Sequence, residues 1–197
     1  MSRRAKAFLI ACIAASLVAG GLAGSQAMRH HSSKAQVEKL GGPFSLVDQN
    51  GTRFTEANLV GKPTLLYFGY TFCPDVCPTA LLLMETAAEM LGPDGPHKVN
   101  IVFITIDPER DTTEKLKGYV PEFGASIVGL TGSPEQVARA AKAYQVFYQK
   151  TPSRDDAPYL MAHSSTIYLL DRRGRYIGFF SHDSKAEDIA QRLRKLL

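Results

Sequence analysis

The order of apolar runs and turn residues in this sequence predicts an α/β sandwich with a central mixed β-sheet flanked by helices. Two uninterrupted apolar runs, 64–70 and 99–106, have the length and composition of strands that are buried on both faces. A helical segment follows each run, and a hairpin and one more helix end the chain. Cys73 and Cys77 stand between the first of these strands and its helix, which places the domain among thioredoxin-like folds.

The first elements are predicted from their turn and boundary residues. Asn50-Gly51 is a strong hairpin turn signal, so the apolar residues around it, 44–47 and 52–54, are expected to pair as strands. A helix is predicted from 78 to 91, because proline is favoured at the first helical position and Gly92-Pro93 ends the helix.

The later elements are predicted in the same way. Ser133 and Pro134 have the residue types that open a helix, and Asp171 to Gly174 form a hairpin turn with glycine. The predicted order is a helix over 112–123, which Pro121 is expected to shorten, a strand over 127–130 and a helix over 133–146. A polar loop over 147–162, strands over 166–170 and 176–180, and a helix over 185–197 follow.

The N-terminal residues predict a membrane segment. Residues 7–24 carry no charge, and their 18 positions reach the lower limit for a membrane-spanning helix. Arg3, Arg4 and Lys6 precede the run, so the N-terminus is expected in the cytoplasm and the remainder is expected to be exported. A signal peptide cleaved after the small-residue sequence Ser25-Gln26-Ala27 is the alternative.

The chain is therefore expected to have three parts. They are an N-terminal membrane anchor or uncleaved signal over 1–27, a polar linker over 28–42 and a thioredoxin-like domain over 43–197. Residues 1–34 hold five basic and no acidic side chains, which leaves 18 basic and 19 acidic residues in the remainder. A nearly neutral domain lacks the electrostatic footprint of a nucleic-acid-binding protein, so no nucleic acid is expected as a partner.

The cysteine pair and one distant histidine predict either metal binding or redox chemistry. His163 follows Cys77 by 86 residues, just before a strand that should lie beside the first core strand. Thiolate sulfur selects copper(I), zinc or iron–sulfur clusters, and an imidazole completes a three-coordinate site. Cys73 and Cys77 could also form a redox disulfide; a purely structural disulfide is not favoured, because it would close a very short loop.

Cys77 falls next to the predicted helix start, where the unpaired N–H groups should lower the pKa of its thiol. Three residues between the cysteines, rather than two, widen the loop and favour two thiolates spread around a metal. Asp75 and Asp107 are polar candidates near such a site.

Four ordered motifs then resemble the Sco/SenC family of copper-delivery proteins. They are Tyr67 to Pro78, which contains both cysteines; Ile104 to Thr112; Gly129 to Gly132; and Tyr159 together with His163-Ser164. Two positions depart from the family pattern. Phe72 stands where many members have a histidine, and Ala162 stands where members often have an acid.

The resemblance implies that Cys73, Cys77 and His163 bind one copper ion. It also implies a metallochaperone that delivers copper to, or reduces the cysteines of, the dinuclear copper A site of cytochrome c oxidase subunit II. Other periplasmic copper carriers or thiol reductants would be further partners. The expected location is the bacterial inner membrane, as a single-pass protein with the domain facing the periplasm.

The rival interpretation is a periplasmic thiol–disulfide oxidoreductase, in which Cys73 and Cys77 would be the catalytic residues. Copper binding needs all three side chains, whereas thiol–disulfide exchange needs only the two thiols. His163 is therefore the residue that separates the two interpretations.

Overall fold

A computed structural model describes residues 40–152 and 158–197. The strands are β1 (Ser45–Asp48), β2 (Arg53–Thr55), β3 (Thr64–Gly69), β4 (Asn100–Thr105), β5 (Ile127–Thr131), β6 (Tyr148–Thr151), β7 (Leu160–His163), β8 (Thr166–Leu170) and β9 (Tyr176–Ser181). The α-helices are α1 (Val76–Glu89), α2 (Gly95–Lys98), α3 (Thr113–Tyr119), α4 (Pro134–Ala143) and α5 (Ala186–Arg194). Single 3₁₀ turns occupy Glu56–Leu59 and Val120–Glu122.

Seven strands form one mixed sheet in the order β2-β1-β5-β4-β3-β8-β9. The central strands β3, β4 and β5 are parallel, and the strands on either side pair antiparallel. Strands β6 and β7 form a separate two-stranded antiparallel sheet. The predicted thioredoxin-like arrangement with a mixed sheet is therefore confirmed.

Strands β3 and β4 lie at the centre of the core because both of their faces are covered. All six residues of β3 and the last five of β4 are buried, as their continuous apolar composition predicts. Helix α1 lies against α5, and α4 buries Val137, Ala140 and Ala141. Pairing of β3 with β4 in parallel brings the carboxyl ends of both strands to one edge of the sheet, where the cysteine loop begins.

The observed ends of two helices differ from the predicted ones. Helix α1 begins at Val76, so Pro78 is its third residue rather than its first, and the helix ends at Glu89. Helix α3 ends at Tyr119, and Pro121 lies in the 3₁₀ turn that follows, so the expected shortening at this proline is confirmed.

The predicted polar loop over 147–162 is wrong, because it contains β6 and part of β7. The two strands pair in register from Tyr148 with His163 to Thr151 with Leu160. In β7 only Met161 is buried. Each strand has four residues, β6 is mostly polar and β7 buries one side chain, so neither gives an apolar run of the length that separates a strand from a loop.

The predicted anchor over 1–27 and most of the predicted linker lie outside the described residues. Within 40–152 and 158–197, no helix combines the length and the apolar character needed to cross a bilayer.

Candidate metal centre

The junction between β3 and α1 positions both cysteines. Gly69 ends β3, and the backbone N–H of Cys73 donates to the carbonyl of Tyr70 across a tight turn, at 3.2 Å. Cys77 is the second residue of α1 and is fully buried, whereas Cys73 in the loop is only half-buried. Both thiols are free.

A buried carboxylate fixes the loop that carries Cys73. Asp111 accepts hydrogen bonds from the Thr71 N–H at 3.0 Å, the Thr71 hydroxyl at 2.6 Å and the Thr105 hydroxyl at 2.6 Å. Thr71 lies two residues before Cys73, and Thr105 ends β4. Asp111 therefore connects the cysteine loop to the sheet. Its place within the Ile104 to Thr112 motif was the one sequence signal that pointed to it.

The other end of the site is the last residue of β7, His163. Its Nδ1 lies 3.0 Å from the backbone carbonyl oxygen of Ser164. Because a carbonyl oxygen can only accept, Nδ1 carries the ring proton, and Nε2 keeps its lone pair. The rings of Tyr67 and Tyr70 meet the imidazole edge to face, with centroids 6.2 and 5.8 Å away. The ring is thereby oriented with its free nitrogen toward the cysteines.

The structure brings the three predicted side chains together. The ligand atoms of Cys73, Cys77 and His163 all lie within 4.8 Å of one another, and Nε2 of His163 is 3.5 Å from Sγ of Cys77. Two sulfurs and one neutral imidazole nitrogen are a soft donor set that suits copper(I). Their role as ligands stays a prediction, but the geometry fits the ion.

The two thiols differ in acidity, and the predicted pKa of Cys77 is wrong. A hydrogen bond from the Cys77 thiol lowers the pKa of Cys73 to about 4, against the opposing effect of burial. The same hydrogen bond, together with complete burial, raises the pKa of Cys77 far above its usual range. Burial beside a second sulfur outweighs the start of helix α1. Cys73 is therefore the more acidic thiol.

The surroundings of Cys77 leave no spare room. A Cβ atom on Gly69 would lie 2.8 Å from the sulfur of Cys77 and 2.9 Å from the rings of Tyr67 and Phe103. The Tyr67 hydroxyl lies 3.9 Å from the same sulfur. Glycine at position 69 therefore allows the sulfur to approach the end of β3, a requirement that sequence reasoning missed.

The polar candidates Asp75 and Asp107 do not join the ligand group of the described residues. Asp75 is exposed and precedes α1 without a side-chain capping bond. Asp107 is buried and forms an ion pair with Arg110. It also accepts a hydrogen bond of 2.8 Å from the Tyr159 hydroxyl. The Asp107–Arg110–Tyr159 group was not foreseen, although all three residues lie within motifs that the sequence analysis singled out.

The fold and the site together define a class of protein: a thioredoxin-like domain with a cysteine pair at a strand-to-helix junction and a distal histidine, which together could hold a soft metal ion. The family described as SCO1/SenC matches residues 32–197 of the chain. The chain belongs to the SCO1/SenC family.

Named relatives agree with the family match. The chain is 41% identical over 160 residues to the mitochondrial SCO1 homolog 1 of Arabidopsis thaliana. The aligned region covers 79% of this chain and 48% of the relative. It is 43% identical over 159 residues to a SCO2-like protein of Rickettsia conorii, covering 79% of this chain and 76% of the relative. The chain thus spans about half the length of the plant relative.

A solved structure has the same fold. The copper-bound structure of ScoI from Bradyrhizobium japonicum is 44% identical in sequence, with a TM-score of 0.74. The similarity covers 80% of this chain and 99% of that protein.

Proposed function

We propose that this protein binds copper through Cys73, Cys77 and His163 and serves as a metallochaperone in the assembly of cytochrome c oxidase. The observation that carries the proposal is the convergence of the two sulfurs and Nε2 of His163 within 4.8 Å. Membership in the SCO1/SenC family, with a copper-bound structure among its relatives, supports copper as the metal.

The site residues divide the work of holding copper. Cys73, the more acidic thiol, is ready to bind as a thiolate, whereas the proton of Cys77 must leave when the metal enters. The hydrogen bond from Nδ1 of His163 to the Ser164 carbonyl keeps Nε2 available for the metal. When bound, copper(I) would be the cargo that the protein passes on.

The receiving protein would be subunit II of the oxidase, at its dinuclear copper A site. Family membership supports oxidase assembly, and the uncharged run over 7–24 supports single-pass anchoring in a bacterial inner membrane. In that orientation the domain faces the periplasm. Mass spectrometry of the protein from its native host tests the anchor: an N-terminus at Met28 would contradict it.

Metal analysis of the reduced full-length chain in detergent tests the site. The wild-type protein is expected to hold close to one copper per chain, and Cys73→Ser or Cys77→Ser is expected to hold far less, because each change removes a soft ligand. Cys12→Ser is the matched control, since it removes a thiol from outside the proposed site. Tight, near-equimolar copper in both site variants would exclude the assignment.

A second function, thiol–disulfide exchange, is favoured by one observation. Cys73 is partly exposed with its pKa lowered to about 4, whereas Cys77 is buried with a raised pKa, which suits an attacking and a resolving thiol. The Cys73 thiolate would attack a partner disulfide and form a mixed disulfide. Cys77 would then displace the partner, leaving a Cys73–Cys77 disulfide and a partner carrying two thiols.

A further inference from the structure

The hairpin of β6 and β7, which carries His163, is attached to the domain mainly through side chains. Its strands pair with each other and not with the seven-stranded sheet. A pocket of about 230 Å³ lies between the hairpin and the core, with Ile106 and Val137 on one side and Tyr148 and Met161 on the other. Only two residues connect His163 to β8, which pairs with β3, and no strand pairing joins the hairpin to the main sheet. Side-chain contacts are therefore needed to hold the rest of the hairpin against the cysteine loop.

Arg110 contacts the hairpin in two ways. Its guanidinium carbon lies 3.7 Å from the centre of the Tyr159 ring, and its Nη1 donates to the Tyr159 carbonyl oxygen at 2.9 Å. The Tyr159 hydroxyl in turn donates to Asp107, which is the ion-pair partner of Arg110. Tyr159 lies one residue before β7 and four residues before His163.

The same guanidinium contacts the cysteine loop. It lies 5.0 Å from the ring centre of Phe72, the residue before Cys73, and 5.7 Å from that of Tyr70. The Tyr70 ring also packs against His163. A guanidinium within about 6 Å of the centre of an aromatic ring is attracted to that ring by a cation–π interaction. The attraction is stronger where water is partly excluded. About a quarter of the Arg110 side chain is exposed.

We infer that Arg110 is the positioning residue of the metal site: it holds the hairpin that carries His163 against the loop that carries Cys73. It does not bind the metal. A planar guanidinium can stack on the Tyr159 ring while donating to both Asp107 and the Tyr159 carbonyl, a combination that a lysine ammonium cannot reproduce. The effect of Arg110 on copper binding rests on the proposed function. Its contacts with Tyr159, Asp107 and Phe72, called the Arg110 clamp below, need no metal.

The first test needs no copper. Hydrogen exchange of the reduced, metal-free full-length chain in detergent is compared for wild type, Arg110→Gln and Arg110→Lys. Both variants are expected to exchange about tenfold faster at the amides of 148–151 and 160–163. The reason is that losing the stacking and hydrogen-bond contacts of Arg110 makes local opening of the hairpin easier by about that factor. Exchange in β3 and β4 should stay unchanged.

Arg175→Gln is the matched control, because Arg175 forms an ion pair of 2.7 Å with Asp171 in a turn at the opposite end of the sheet. It should leave hairpin exchange at the wild-type rate. Unchanged hairpin exchange in both Arg110 variants, or an equal increase throughout β3 and β4, would overturn the inference.

The second test connects the clamp to the histidine. Arg110→Gln is expected to weaken copper(I) binding about tenfold when His163 is present, but less than about twofold in a His163→Ala background, because the two effects share one cause. An equal loss in both backgrounds would contradict a role through His163. If the wild type binds no copper, the proposed function fails, while the exchange experiment still decides whether the clamp exists.

Discussion

The two sides of the candidate site are built in different ways. The cysteines lie where the central strand β3 meets α1, beside a fully buried core and a loop tied to the sheet by Asp111. His163 ends a separate two-stranded sheet, which packs over a pocket and contacts the core through Arg110, Tyr159 and Tyr70 in addition to the short connection from His163 to β8. The thiol side is set by the architecture of the main sheet, and the imidazole side by a few side-chain contacts.

This difference suits a protein that must take up and release a metal. The two proposed ligands on a close-packed junction stay near one geometry, since packed interiors resist small changes. The third proposed ligand, on a separate hairpin, can be stabilised or weakened without unfolding the core, because local openings have their own free energies. The comparison leads to predictions for four substitutions, from the largest expected effect to the smallest.

Gly69→Ala should disrupt the cysteine side most. The new methyl group would lie under 3 Å from the Cys77 sulfur and from two buried rings, so overpacking is expected to lower the free energy of unfolding by about 3 kcal/mol. Chemical denaturation measures the loss. Gly118→Ala, where an added Cβ meets nothing within 4 Å, is the control. Equal stability of the two variants would show that the junction is not close-packed.

His163→Ala should disrupt only the hairpin side. Copper affinity is expected to fall by at least roughly 10–100-fold, because even the loss of a residue that supports a ligand has that effect. The Cys73–Cys77 disulfide should still form, which thiol labelling before and after oxidation will show. A variant that loses copper binding but still supports oxidase assembly would favour thiol–disulfide exchange as the main function, because exchange needs only the two thiols.

Asp111→Asn should loosen the attachment of the cysteine loop. An amide cannot accept all three hydrogen bonds that the carboxylate accepts, so a buried donor loses its partner, at about 1–2 kcal/mol. Urea denaturation at neutral pH measures the change. Asp183→Asn, an exposed carboxylate, is the control.

Asp111 should also make the free energy of unfolding depend on pH. Burial raises the pKa of Asp111, and its three hydrogen bonds only partly oppose that effect. The native state therefore binds more protons than the unfolded state between the ordinary carboxyl pKa and the raised one, so the free energy of unfolding contributed by Asp111 falls as the pH rises through that interval. Asp111→Asn should lack this component. An identical pH slope in both proteins would contradict the prediction.

Lys150→Gln should have the smallest effect. Lys150 and Glu109 join the hairpin to the core in an ion pair of 2.6 Å, but both side chains are about half exposed. Such exposed pairs contribute little to stability, because water screens the two charges. Hairpin exchange and copper affinity should therefore stay near the wild-type values, unlike those of Arg110→Gln. A comparable loss in both variants would mean that charge alone, rather than the stacked guanidinium, attaches the hairpin.

Much of the architecture could be predicted from local sequence. The continuous apolar composition of 64–70 and 99–106 indicated buried strands, and the Asn50-Gly51 turn indicated the first hairpin. The short strands β6 and β7 were missed, because they bury too few apolar side chains to leave a period in the sequence. The raised pKa of Cys77 was not predicted, because the sequence shows that Cys77 lies near a helix start but does not show that its side chain is buried.

The sequence by itself determined the fold class and the residue types of the site: two thiols at a strand-to-helix junction and one distant histidine. Only the tertiary structure decided that Nε2 of His163 comes within 3.5 Å of the Cys77 sulfur, that Cys73 is the more acidic thiol, and that Arg110 lies between hairpin and loop. The physical reason is the separation along the chain of the residues that interact. Strand and helix patterns reflect neighbours along the chain, whereas burial, acidity and ligand distances depend on segments far apart in sequence that the folded chain brings into contact.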